Sequence, residues 1–225
     1  DDPLGWHDSK SYIDRLKSAR KITKQKCAVM IATGSIGGIP LTAASINFQF
    51  IGGSIGSAEG EAIIYGANYA IENKQPFIFF TSGGGQRMHE SPVALSQMAR
   101  TTIAINELKK SNLPYIVCFT DPTAGGITAS FASLSDIAIA EPGALIAFAG
   151  RRVIEATMKE ELGENFQKAE RVLECGFIDF IASRKELPNK IYTILKIILK
   201  KNSVQSEIKK DETTENSRSI SSIAS

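Results

Sequence analysis

The sequence predicts an α/β fold, and three observations carry that expectation. The runs PFIFFTS (76–82) and LPYIVCFT (113–120) are short and continuously apolar, as strands buried on both faces of a parallel sheet are. A longer segment with helical character, SPVALSQMARTTIAINELKKS (91–111), lies between them. Glycine clusters follow both runs, in TSGGGQRMHES (81–91) and DPTAGGITASF (121–131). Strands alternating with helices imply stacked layers of sheet and helix.

The elements follow in order. Residues 9–26 place Tyr12, Ile13, Leu16 and Ala19 at helical spacing among charges, which predicts an amphipathic surface helix. CAVMIATGSIGGIPLTAASINFQF (27–50) reads as two strands joined by a Gly-rich turn. Ser57 is a candidate cap for a helix running to about Asn73. The strand at 76–82, the helix at 91–111 and the strand at 113–120 come next. GGITASFASLS (125–135) predicts a short helix of small residues, and DIAIAEPGALIAFAG (136–150) two more short strands. RRVIEATMKEEL and KAERVLECG read as helices, and 188–201 as a last helix opening on Pro188 with a lysine-rich outer side. The expected order is β-β-α-β-α-β-α-β-β-α. Residues 1–201 form one domain in this reading. Residues 202–225, mainly Ser, Lys, Glu and Thr, predict a disordered, solvated tail.

Composition bounds the function. The chain has 225 residues, 43% hydrophobic and 22% charged, enough for one sizeable core. A net charge of +2 gives no sign of a nucleic-acid or membrane partner. Cys27, Cys118 and Cys175 are far apart and have no metal-ligand spacing, so they are read as buried free thiols of a reducing compartment. No apolar run approaches the roughly 20 residues of a membrane span. The polar, acidic start is not that of a signal peptide.

Both glycine stretches fall where a strand ends and a helix is expected. Helix starts leave backbone N–H groups unpaired and carry partial positive charge. Glycine lets a ligand oxygen approach them. This is how an oxyanion hole is built. A phosphate cradle is the rival, but neither stretch continues into the Lys-Ser or Lys-Thr of a P-loop. A tight strand–helix turn with no ligand is the third reading of Gly125 and Gly126, and spacing alone does not separate it from the first. GGSIG (52–56) matches the G-x-S-x-G string around Ser54. His7 and His89 are the only histidines, so a base for Ser54 is scarce. With no nucleophile–base pair and no ligand cluster, hard chemistry would fall to a bound cofactor or substrate.

DPLGWHDSKSYIDRLKSARK, FQFIGGSIGSAEGE, SGGGQRMHE, LPYIVCFTDPTAGGITASFASLSDIAIAEPGALIAFAGRRVIE and LECGFIDFI together resemble the carboxyltransferase beta subunit of bacterial and plastid acetyl-CoA carboxylase, nearly without gaps from Asp2 to about Ile181. The resemblance implies a crotonase-like (ClpP/crotonase) fold, a spiral of ββα units. It implies a carboxyltransferase that joins an alpha subunit of the same fold in an α2β2 assembly. The pair moves a carboxyl group from carboxybiotin, held on a separate biotin carboxyl carrier protein, to acetyl-CoA. The product is malonyl-CoA, for fatty acid synthesis. The implied location is the bacterial cytoplasm or the plastid stroma. In this chemistry the released biotin takes the proton from the acetyl methyl group, and one oxygen on biotin and one on the thioester become anionic. Backbone N–H pairs hold them. By resemblance Gly125 and Gly126 form the hole for the biotin oxygen, and the alpha subunit supplies the other. Gly84 and Gly85 fall in the family's SGGAR motif and are expected to line the CoA side. Arg87 matches its Arg, as a ligand contact or as a structural salt bridge.

There are departures. The family's N-terminal four-cysteine zinc ribbon has no counterpart, trimmed or lost, so no zinc is expected in this chain. SGGAR reads SGGGQR, and GPR reads GRR with Arg151 at the proline position. The alternatives kept open are a subunit of another acyl-CoA carboxyltransferase, a malonate decarboxylase subunit, or a noncatalytic assembly subunit.

Overall fold

The computed structural model describes residues 2, 4–159 and 162–199. The expected tail at 202–225 lies outside the described residues.

One sheet organises the chain. Its strands are β1 (Val29–Ile36), β2 (Ile39–Ile46), β3 (Phe77–Gly83), β4 (Tyr115–Ala124), β5 (Ile137–Ala140), β6 (Ile146–Ala147) and β7 (Phe180–Ile181). The order across it is β1-β2-β3-β4-β5-β7, with β6 on the end of β4. Only β1 and β2 are antiparallel, as a hairpin with two left-handed glycines, Gly37 and Gly38, in its turn. The other pairings among these strands are parallel.

The helices are α1 (Tyr12–Thr23), α2 (Ser57–Glu72), α3 (Ser91–Lys110), α4 (Arg151–Met158), α5 (Ala169–Glu174) and α6 over 187–199. Alternation along β3 and β4 explains why both runs are wholly apolar. Phe77, Phe79, Tyr115, Val117 and Phe119 pack with residues of α1, α2 and α3, while Ile78, Ile116 and Cys118 pack with Leu187, Ile191 and Leu195 of α6. A period of two sends neighbouring residues to opposite faces, so a central strand between two layers needs apolar side chains at every position.

The expected elements are present, with three differences. β4 continues past Thr120 through a cis Asp121-Pro122 bond to Ala124. Residues 125–130 form turns rather than the expected helix, followed by one 3-10 turn at Phe131–Leu134. The two-residue β7 has no counterpart in the sequence reading, because a strand so short carries no periodicity. The cysteines are free, as expected, but only Cys118 is buried; Cys27 is half-buried and Cys175 exposed.

Candidate active site

β3 and β4 are parallel neighbours, so the glycine segments that leave their C-terminal ends meet. A β-carbon built on Gly85 would sit 3.0 Å from the Gly126 nitrogen, and one on Gly125 would sit 2.8 Å from the Gly84 carbonyl oxygen. A third segment lies alongside. The Ile55 N–H donates to the Gly85 carbonyl (2.9 Å), the Arg87 N–H to the Ile55 carbonyl (2.9 Å), and the Gly84 N–H to the Gly52 carbonyl (3.2 Å). The glycine clusters at 52–56, 83–85 and 125–126 are thus one contact zone.

Within it, adjacent glycines differ. Gly125 has φ +62, a left-handed conformation that β-carbons disfavour. Its N–H already donates to the carbonyls of Ala147 and Phe148, both at 3.1 Å. This corrects the expected pair of donors: the Gly125 N–H ties β4 to β6 and is not free for a ligand. The N–H groups of Gly126, Ile127 and Thr128 make no hydrogen bond among the described residues, and neither do those of Gly85 and Gln86. Gly126 is half-buried and Gly84 exposed. Nothing lies within 4 Å of a β-carbon built on Gly84. The Thr128 hydroxyl pins the turn by donating to the carbonyls of Gly125 (2.8 Å) and Ala147 (2.6 Å). Beyond it a groove of about 510 Å³ is lined by residues that include Ala129, Phe148, Phe166 and Phe177.

Arg87 points the other way. Its side chain is 1% exposed, and its guanidinium donates to Glu59 (2.7 Å), to the Ser54 carbonyl (2.6 Å) and to the Tyr12 hydroxyl (3.2 Å). Glu90 lies 3.6 Å away. Of the two readings open for Arg87, the geometry is that of the structural ion pair. Burial opposes its charge most, but Glu59 and Tyr12 together outweigh it and hold its pKa above the ordinary value. Glu59 also accepts the N–H groups of Ala28 (2.8 Å) and Gly56 (3.0 Å), and Glu90 accepts from Tyr12 (2.5 Å) and from the Ser57 N–H (2.6 Å). Desolvation raises the Glu90 pKa, and the hydrogen bonds from Tyr12 and Ser57 with the charge of Arg87 more than reverse it, so it ends below its ordinary value. No pattern in the sequence marks Glu59 and Glu90 as its partners, because they lie on opposite sides of it.

The Ser54 reading finds no support. Its hydroxyl donates to the Ile51 carbonyl (2.8 Å) and accepts from Arg87 (3.2 Å). His89 stacks on Tyr12 and meets Trp6 edge-on. Arg151 pairs with Glu155 at 2.9 Å and donates to the carbonyls of Leu162 and Gly163. Among the described residues no group of three His, Cys, Asp or Glu side chains is arranged to hold a metal ion, and no helix is long and apolar enough to cross a membrane.

Residues 9–223 match the family model of the carboxyl transferase domain. Over 225 residues the chain is 59% identical to the acetyl-coenzyme A carboxylase carboxyl transferase subunit beta of Pelagibacter ubique, covering 100% of this chain and 72% of that protein. Over 199 residues it is 52% identical to the subunit of the same name from Brucella abortus, covering 88% and 66%. Among solved structures it resembles a transcarboxylase 12S bound to methylmalonyl-coenzyme A, with TM-score 0.68 and 30% identity over 75% of this chain and 33% of that one. It shares its fold with a Pseudomonas malonate decarboxylase hetero-dimer, with TM-score 0.67 and 23% identity over 74% and 75%. The chain belongs to the carboxyl transferase domain family, and its fold is the crotonase-like one that the resemblance implied.

Proposed function

We propose that this member of the carboxyl transferase family works as the beta subunit of an acetyl-CoA carboxylase carboxyltransferase, moving a carboxyl group from carboxybiotin on a carrier protein to acetyl-CoA. The observation that carries the reading is the contact between the two strand-end glycine segments, with N–H groups at Gly85, Gln86 and Gly126 that find no acceptor among the described residues. The comparisons support the substrate: the relatives at 59% and 52% identity bear that subunit's name.

A cradle of glycines with free donors fits an oxygen that gains negative charge. Biotin, when bound, supplies the carboxyl group and afterwards a basic nitrogen. This chain's part is electrostatic and positional. The Gly126 N–H holds the developing charge in place, at no cost of reorganisation during the reaction. Gly125 sets the turn that presents it. Gly84, exposed and with open space where a β-carbon would be, leaves room for the acyl-CoA on the adjoining side, and Gly85 packs the loop against Gly125 and Gly126. Arg87 acts at one remove, by holding the 83–87 loop through Glu59 and Glu90.

Two anions need stabilising in this chemistry, and this chain provides for one. The second comes from an alpha subunit in the proposed assembly. Exposed apolar side chains on α3 (Val93, Leu95, Ile103) and α4 (Val153, Met158) suit a face that such a partner covers. The experiment is carboxyl transfer from carboxybiotin to acetyl-CoA by the co-expressed pair and by the chain alone. The pair is expected to make malonyl-CoA and the chain alone none. Turnover by the isolated chain would overturn the divided site.

A further inference from the structure

Gln86 separates the glycines from Arg87, and its side chain has no part in the reading above. Its side chain spans three elements. With its nitrogen turned toward them, the amide donates to the carbonyls of Ile55 (3.0 Å) and Ala94 (2.8 Å). Ile55 precedes α2, and Ala94 lies in the first turn of α3. The stem lies against Gly126. A β-carbon built on Gly126 would sit 2.7 Å from Gln86 Cγ and 2.7 Å from its terminal amide, and its three nearest atoms all belong to Gln86. Gly126 does not have the positive φ of Gly125. What excludes a side chain there is Gln86, not the backbone.

We infer that Gln86 is a positioning residue for the Gly126 N–H. Its amide tethers the 83–87 loop to Ile55 and α3, and its stem fills the space against which the Gly126 turn rests. A donor to a developing charge works only when held close to the productive geometry by its surroundings. Gln86 supplies that support by packing from one strand-end loop across to the other. The inference rests on the proposed role of Gly126.

The test is a double-mutant cycle in the assembled complex, reading kcat, KM for acetyl-CoA and melting temperature. Gln86→Ala removes the brace. It is expected to lower kcat about tenfold while KM changes by less than about twofold, because only the placement of the donor is lost. Gly126→Ala is expected to cost at least about fivefold less in kcat in the Gln86→Ala background than in the parent, since the new methyl enters vacated space. Gln86→Met keeps the stem and loses the tethers, and it is expected to lower kcat in the same sense should Gln86→Ala fail to assemble. Parental kcat in the folded Gln86 variants would overturn the inference, as would the same cost of Gly126→Ala in both backgrounds. If Gly126→Val stays strongly impaired in either case, the reading of Gly126 survives and only the brace is removed. Parental kcat in Gly126→Val would instead overturn that reading and the brace with it.

Discussion

The two ends of the 83–90 segment treat polarity in opposite ways. At the Arg87 end, charge is sealed in. A guanidinium, two carboxylates, a phenol and several backbone N–H groups satisfy one another out of contact with solvent. At the glycine end, the N–H groups of Gly85 and Gln86, and that of Gly126 packed beside them, have no acceptor among the described residues. The charged residue that looks most like a ligand contact in the sequence is the structural one. The open donors belong to the backbone of the glycine segments. The difference follows from what each can reach: a long arginine can turn back into its own core, while a glycine N–H can use only what lies beside the backbone.

Breaking the sealed end should give the largest effect. Arg87→Ala leaves Glu59 buried without its partner and is expected to cost about 3–5 kcal/mol of stability. Melting temperature and soluble yield should fall, with KM for acetyl-CoA little changed in whatever complex assembles. A large rise in KM at unchanged melting temperature would return Arg87 to the ligand.

Gly126→Val strikes the open end. Its side chain must displace Gln86, which a β-carbon there would meet at 2.7 Å, and it is expected to lower kcat by roughly 10²–10³-fold, or about 3–4 kcal/mol, in the complexes that assemble. Circular dichroism and kcat per mole of complex check it. Gly125→Ala should behave differently although it is adjacent. It forces a β-carbon onto a left-handed backbone, 2.8 Å from a carbonyl oxygen. About 1–3 kcal/mol of stability should be lost, read by denaturant unfolding. If Gly125→Ala and Gly126→Val gave the same pattern, the division of labour between the two glycines would be wrong.

Acid should test the sealed end more gently. His89 is held below its ordinary pKa by desolvation first and then by the charges of Arg15 and Arg87, with Asp8 and Glu90 opposing. A depressed histidine binds its proton more readily in the unfolded chain, so stability is lost as pH falls from about 6.5 toward the folded value. Glu90, depressed as well, adds a second loss as pH falls from about 4.5 through its folded value. Melting temperature against pH is expected to drop in both windows, and His89→Asn should remove the upper one. Gly84→Ala marks the small extreme. A β-carbon there meets open space, so stability should stay within about 0.5 kcal/mol. Any effect should appear in KM for acetyl-CoA.

Much of this was legible before folding. The buried strands at 76–82 and 113–120, the helix at 91–111, the hairpin at 27–50 and the two glycine segments at strand ends can all be read from local pattern. Local pattern suffices there because hydrophobic period and glycine placement are properties of a few consecutive residues. The order and quoted motifs also carried the family. Tertiary structure decided which polar groups are spent and which are free. Arg87 finds Glu59 of α2 28 positions away, and the Gly125 N–H finds the carbonyls of Ala147 and Phe148 where β6 pairs with β4, contacts that no window of sequence contains. The turn at 125–130 was misread as a helix for a related reason: its small residues permit helix, but the pull of β6 on Gly125 and the Thr128 hydroxyl sets the chain otherwise. Sequence by itself determined where the backbone turns at glycine. Only the pairing of β4 with β6 decided that Gly125 spends its N–H on Ala147 and Phe148 while that of Gly126 finds no acceptor among the described residues.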